Sequence, residues 1–273
     1  MSGARPIFRR RTRQRPRYKG PSFQRMIPNL MTLLGLCAGL TAMRFALDAR
    51  WGSAAVALVV AGAIDGLDGR LARLLKATSR FGAEFDSLAD FLCFGVAPAF
   101  ILYMWSLKVA SGYGFTPCLM FTVCMALRLA RFNAMIEASP APAYAQSFFT
   151  GVPAPAGAGL ALFPMFVGLE ARVWGWPRMA GFVQHPLFCA AVLVGTATLL
   201  VSTLPVWSFK NFKVPSAYVL PLLLGTGTFA AVLVADPWAA LAAAGLIYVT
   251  MLPFSRRSFH RLRHAAEGQV EAL

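Results

Sequence analysis

Five of the 11 acidic residues in this 273-residue chain, Asp65, Asp68, Glu84, Asp86 and Asp90, fall within one stretch of 26. Asp65 and Asp68 are three positions apart and Asp86 and Asp90 four apart, spacings that put each pair on one face of a helix. Two adjacent antiparallel helices would then aim four carboxylates at one point. Charges so close repel, and they persist only if protonated or compensated by cations. Oxygen-only ligands favour hard divalent ions such as Mg²⁺ or Mn²⁺, and with no histidine in the stretch a zinc site is not expected.

Small residues accompany the acids. Gly66, Gly69, Ala72 and Gly82 remove side-chain bulk, which serves either close helix packing or the approach of a ligand to the backbone. Arg70, Arg73, Lys76 and Arg80 lie between the two acidic pairs, as topology anchors or as phosphate ligands, and Arg73 beside a carboxylate metal site is the phosphate-binding candidate.

The elements that must carry these residues are membrane helices. The chain is 58% hydrophobic and 14% charged, whereas soluble domains run near a quarter charged. Apolar runs near 27–47, 52–74, 86–107, 113–134, 148–169, 187–204, 216–234 and 237–254 predict an all-α polytopic protein with about eight spans joined by short connections. The carboxylates fall at the end of the second span and the start of the third. The apolar run Gly52–Ile64 covers 13 residues, or ~20 Å of a hydrocarbon core of ~30 Å, so Asp65 is recessed near the depth of lipid phosphates. Ionisable groups at membrane depth are costly unless paired or hydrated, which makes them functional candidates.

The formal charge of +15 tests the topology. With both termini inside, 21 of the 26 Lys and Arg residues are cytoplasmic, and Arg44, Arg50, Lys108, Arg172 and Arg178 are the exceptions, as the positive-inside rule requires. The division is a basic tail over residues 1–25, a transmembrane domain over 26–255 and a cytoplasmic tail over 256–273. The first span is too long for a secretory signal and lacks its cleavage pattern. A stretch around 139–143 is expected as a cytoplasmic loop and one from Trp174 to Pro186 as an external one.

Repeated apolar runs exclude a nucleic-acid binder despite the basic balance. Five cysteines without a CxxC pair are expected to be packing residues, with no disulfide framework. The six tryptophans are expected near interfaces and His185, His260 and His264 in solvated segments.

Written out, Asp65-Gly-Leu-Asp68-Gly69-Arg-Leu-Ala72-Arg73, then eight residues, Gly82, three residues, Asp86, three residues and Asp90, the stretch resembles the signature of the CDP-alcohol phosphatidyltransferase family at every fixed position. The resemblance implies a six-helix membrane core, here with two further helices, usually found as a homodimer in the cytoplasmic (inner) membrane. It implies transfer of a phosphatidyl-type group from a CDP-linked lipid to a hydroxyl, with release of CMP. Carried over by position, it makes Asp65, Asp68 and Asp86 ligands of two divalent cations, with Asp90 near the metals and the candidate general base. Gly69, Ala72, Arg73 and Gly82 would lie at the CDP-lipid site, and Pro28-Asn29 resembles the usual start of the first helix, with Asn29 approaching the nucleotide.

The stretches Phe85–Asp90, Phe94–Ala99, Leu127–Asn133, Phe149–Pro155 and Ser208–Lys210 are similar to the branch of the family that uses L-serine as acceptor and CDP-diacylglycerol as donor. Arg128, Arg131, Asn133 and Lys210 are then acceptor-side or phosphate-binding candidates, with Lys213 beside them, and the two arginines have topology anchoring as an equal alternative. Other acceptors (glycerol 3-phosphate, inositol phosphate or choline) remain rivals within the family. A cation-coupled transporter is the rival outside it, although the carboxyl half shows no second acidic cluster.

Overall fold

The computed structural model describes residues 23–75, 77, 79–137, 148–207 and 216–271. The basic tail up to residue 22, the loop near 139–143, Lys76, and Lys210 and Lys213 lie outside them.

Helix α1, Phe23–Leu47, and helix α2, Trp51–Leu74, form an antiparallel pair. They approach closely because the seam is built of small residues: Ala42, Ala46, Ala54, Ala55 and Ala61 are buried there, as expected where helices associate without a large hydrophobic driving force. At Gly39 a Cβ would stand 2.6 Å from Cys93 Sγ, so only glycine admits the next helix at this crossing.

The third span, Arg80–Trp105, is continuous but not uniform. Helix α3, Arg80–Asp90, opens with Ser79 as N-cap, its Oγ accepting from Gly82 N at 3.0 Å. A π-helical turn follows over Phe91–Val96, in which Ala97 N donates five residues back to Leu92 O, and α4, Ala97–Trp105, completes the span. Pro98 lacks the N–H that a regular ladder would need next.

Helix α5, Phe115–Glu137, leads to a three-residue strand β1, Phe148–Thr150. Then come α6, Ala154–Ala161, and α7, Phe163–Val173, which together make one span bent by 45°. Helix α8, Pro177–Gln184, and α9, Pro186–Val201, are bent by 55°. Strand β2, Pro205–Trp207, pairs antiparallel with β1, and α10, Ser216–Ala235, and α11, Pro237–Glu271, close the chain.

Four described helices are long and apolar enough to cross a membrane, six with each bent pair counted once. Helix α10, whose apolar part Val219–Ala235 is shorter, and α2 are the other two of the eight expected spans.

Several local expectations are corrected. The fifth expected span, 148–169, begins with β1 and a Gly151 at φ +80°, because Pro153 and Pro155 defer the helix. The external loop expected from Trp174 to Pro186 contains α8, started by Pro177 as a first-turn proline. Trp105 is buried to 3% exposure in the core, its ring under Gly168. His185 is exposed, as expected, and caps α9 by accepting from Leu187 N at 3.3 Å. All five cysteines are free, and Cys93, Cys118 and Cys189 are buried.

Candidate active site

Asp65 and Asp68 leave α2 on one face, and Asp86 meets them from α3. One carboxylate oxygen of each lies within 4.8 Å of the others. Asp68 is the most enclosed, at 4% exposure, and Thr32 of α1 donates its hydroxyl to Asp68 Oδ2 at 2.7 Å. The same hydroxyl also lies 3.2 Å from Pro28 O, so it is held between its own helix and the carboxylate. Thr32 was quoted above only as part of the start of the first helix. No pattern in the sequence reveals its partnership with Asp68, because 36 positions separate the two.

Asp90 stands outside this close group. It is one helical turn beyond Asp86, a rise of ~6 Å, and faces Asp65 within the field of all three other carboxylates. Asp90, Asp65, Asp68, Thr32 and Cys93 line a narrow inner crevice. The four carboxylates thus divide into a three-member cluster and a deeper fourth member.

The donor set suits a hard divalent cation. The three convergent groups offer oxygen alone, no nitrogen or sulfur of the described residues shares their cluster, and their mutual repulsion is relieved by a positive ion.

Beside the cluster opens a cleft of about 190 Å³ lined by Pro28, Asn29, Thr32, Asp68, Gly69, Ala72, Ala77, Ser79, Gly82, Ala83 and Asp86. The two glycines in it do different work. A Cβ at Gly69 would meet nothing within 4 Å, so the residue leaves open space rather than admitting a neighbouring helix. A Cβ at Gly82 would stand 2.8 Å from Asn29 Oδ1 and 3.1 Å from Ser79 Oγ, so its absence lets α1 place Asn29 at the mouth of α3. Asn29, Gly69, Ala72 and Gly82 therefore come together on one cleft. Arg73 is exposed at the rim, its Nε donating to Gly69 O at 3.1 Å.

The acceptor-side candidates separate. Arg131 on α5 spreads its guanidinium over the end of α9, with Nη1 donating to Val201 O at 3.0 Å and Nη2 to Ser202 O at 3.2 Å and Leu200 O at 3.4 Å. These are carbonyls that a helix terminus leaves without intrahelical partners, and a cation there also complements the helix dipole. Gly151 is pressed into the same place: a Cβ there would meet Ser202 O at 2.8 Å and Arg131 Nη2 at 3.0 Å. Arg128, one turn earlier, donates from Nε to Val152 O and lies in the electrostatic range of Asp90. Asn133 Nδ2 donates to Ser87 Oγ at 3.0 Å, tying α5 to the carboxylate-bearing helix α3.

Comparison with known proteins gives the same answer over most of the chain. A family model described as CDP-alcohol phosphatidyltransferase matches residues 25–197, and one described as CDP-alcohol phosphatidyltransferase 2 matches residues 217–253. The chain is 40% identical over 242 residues to the CDP-diacylglycerol–serine O-phosphatidyltransferase of Mycobacterium leprae, covering 88% of this chain and 78% of that protein. It is 42% identical over 238 residues to the protein of that name in Mycobacterium tuberculosis, covering 85% and 79%. With the Helicobacter pylori protein of that name it shares 34% identity over 188 residues, covering 69% and 74%.

Proposed function

The chain belongs to the CDP-alcohol phosphatidyltransferase family, and from that premise we propose that it transfers the phosphatidyl group of CDP-diacylglycerol to the hydroxyl of L-serine, giving phosphatidylserine and CMP. It is a multi-pass membrane enzyme of phospholipid biosynthesis. The observation that carries the reading is the convergence of Asp65, Asp68 and Asp86, of which Asp68 and Asp86 line a cleft that Gly69 and Ala72 keep open.

Asp65, Asp68 and Asp86 would hold the divalent cations, Mg²⁺ or Mn²⁺ and two in number as in the family, which supply Lewis acidity and neutralise charge on the diphosphate. Thr32 fixes the orientation of Asp68 by its hydrogen bond. Gly69 and Ala72 give room for the cytidine diphosphate against α2, and Asn29 offers its amide at the cleft mouth. Arg73, at the rim, is placed to meet a phosphate by swinging off the Gly69 carbonyl. A bond forms between the serine hydroxyl oxygen and the lipid-bearing phosphorus while the bond from that phosphorus to the bridging oxygen breaks. CMP leaves with that oxygen, and the hydroxyl proton passes to the Asp90 carboxylate.

The cation distribution favours both termini and the site on the cytoplasmic side of the inner membrane. A homodimer belongs to the same proposal, as the resemblance implies.

The test is a reconstitution of the purified full-length protein with CDP-diacylglycerol, Mg²⁺ or Mn²⁺, and labelled serine. We expect serine-dependent CMP release and labelled lipid, no release with glycerol 3-phosphate, inositol phosphate or choline, and turnover slowed by about 10²–10⁴-fold in Asp90→Asn. No serine-dependent product, or an Asp90→Asn variant equal to wild type, defeats the reading. Inversion at a chiral thiophosphate supports direct displacement, and retention replaces it with a covalent intermediate.

A further inference from the structure

Helix α11 lies beyond residues 25–197, where the first family match ends. Two of its inward-facing side chains, Ser255 and Tyr248, are polar. Ser255, 2% exposed, donates to Pro205 O of β2 at 2.7 Å and fixes the helix against the two-stranded sheet. Tyr248 lies two turns earlier on the same face and packs against the core, yet its hydroxyl is buried and meets no hydrogen-bond partner among the described residues. A buried hydroxyl without a partner is disfavoured, and tyrosine at such a place ordinarily finds one.

The hydroxyl lies in the electrostatic range of Arg128, and Arg128 in turn lies in that of Asp90. Arg128 is half-buried, and its one hydrogen bond among the described residues uses Nε, to Val152 O. Its two Nη groups therefore remain as donors, whereas those of Arg131 are spread over the carbonyls of α9. Hydrogen bonds from Asn133 to Ser87 Oγ and from Thr122 to Gly95 O bracket Arg128 on α5 and Asp90 on the third span, so the two face each other across that contact, and the Tyr248 hydroxyl lies within electrostatic range of the same guanidinium. Two donor groups, one cationic, select an anion. In-line transfer also requires the acceptor to approach from the side away from the leaving nucleotide. The cleft on that nucleotide side is lined from α1, α2, α3 and the turn between the last two, while Arg128 and Tyr248 come from α5 and α11.

We propose that the Tyr248 hydroxyl and the Nη groups of Arg128 form the subsite for the carboxylate of the acceptor amino acid. The proposal rests on the acceptor being serine. In serine two carbons separate the hydroxyl oxygen from the carboxylate carbon, so an acceptor with its hydroxyl at Asp90 presents its carboxylate to the neighbouring arginine and tyrosine. Tyr248 then makes a direct contact with substrate from a helix outside the six-helix core.

The test is steady-state kinetics of the full-length Tyr248→Phe enzyme, with each substrate varied separately and the melting temperature measured in parallel. Loss of a hydrogen bond to a charged group predicts a KM for serine raised by ~10-fold or more, with KM for CDP-diacylglycerol within twofold of wild type and no loss of thermal stability. An unchanged KM for serine overturns the proposal, as does an equal rise for both substrates. Wild-type enzyme supplies a second measurement, independent of how the variant folds. L-serinamide, whose neutral amide replaces the carboxylate, should require a concentration ~10-fold higher or more, and equal use of the two acceptors overturns the proposal. Absence of serine-dependent CMP release by wild type sinks the acceptor reading and this inference with it, whereas release with KM unaltered in Tyr248→Phe sinks the inference alone.

Discussion

At the junction of α2 and α3, three carboxylates bring oxygens within 4.8 Å of one another, and two of them, Asp68 and Asp86, line a cleft. At the junction of α5 and α9, Arg131 is committed to three backbone carbonyls. The sequence offered both regions as candidates, the carboxylates for their depth in the membrane and Arg131 for its place in a stretch similar to the serine-using branch, with topology anchoring as its alternative. The difference lies in what compensates the charge. Arg131 is answered by the end of a helix, so its position is explained by the fold, while the mutual repulsion of the carboxylates is relieved only by protonation or by a bound cation. An intramembrane charge points to a ligand when its protein surroundings leave it unbalanced, and to architecture when they balance it.

The largest effect that would break this contrast is at Asp68. Asp68→Asn should reduce turnover by roughly 10³-fold, the scale of losing an electrostatic contact at the reacting group. The wild-type protein should also melt higher when Mg²⁺ or Mn²⁺ is added, by the equivalent of about 2.7 kcal/mol at a hundredfold excess over Kd. The variant should lose most of that shift. A chelator should abolish activity reversibly. A wild-type melting curve indifferent to divalent ions would put the carboxylates in the same architectural category as Arg131.

Thr32→Val tests whether the carboxylate region depends on its fold for orientation. The substitution keeps the side-chain shape and removes the one hydroxyl that reaches Asp68 Oδ2. Supporting hydrogen bonds behind a metal ligand are typically worth 10–100-fold in metal affinity or activity. The concentration of Mg²⁺ giving half-maximal activity should therefore rise by about 10–100-fold. A variant with wild-type metal dependence would mean that α2 and α3 position Asp68 unaided.

What could be read from the sequence, and what could not, follows the same division. Asp65, Asp68, Asp86 and Asp90 were legible because helical faces are set by spacing within a few residues. The split between the first three and Asp90 came from the resemblance alone and not from spacing, since it depends on how deeply α2 and α3 overlap and on the π turn that begins directly after Asp90. Gly69 and Gly82 were legible as small but not in purpose: one faces open space and the other Asn29, a difference made by tertiary packing. Arg128 and Arg131 share an i, i+3 face and looked equivalent, and only the placement of α9 and of Gly151–Val152 separates them. Helix α8 and the β1–β2 pair escaped because proline-rich and aromatic stretches next to apolar runs carry no clear period.

Arg131→Ala approaches the contrast from the other region. Removing charged hydrogen bonds from a helix end should destabilise the protein by about 1.5–3 kcal/mol and lower its melting temperature. KM for serine and for CDP-diacylglycerol should stay near wild type in the fraction that remains folded. A raised KM for serine at unchanged stability would give Arg131 a place at the acceptor and erase the distinction from Arg128.

The smallest effect is expected at Gly82, and it is the most discriminating for the carboxylate region. The glycine is helical, so alanine there would by itself favour α3 by about 1 kcal/mol. The added Cβ, however, would stand 2.8 Å from Asn29 Oδ1, closer than real Cβ contacts come, and the Asn29 side chain is free to rotate away. Gly82→Ala should therefore fold as well as wild type or slightly better, keep its Mg²⁺ dependence, and raise KM for CDP-diacylglycerol several-fold, within the ~5–10-fold expected for one neutral hydrogen bond. Asn29→Ala in the same background should add nothing further, because the two changes remove one contact. If the effects of the two substitutions multiply, Gly82 acts on the cleft by a route other than Asn29. If neither moves KM, the nucleotide does not use that side of the cleft, and the open space at Gly69 alone defines its place.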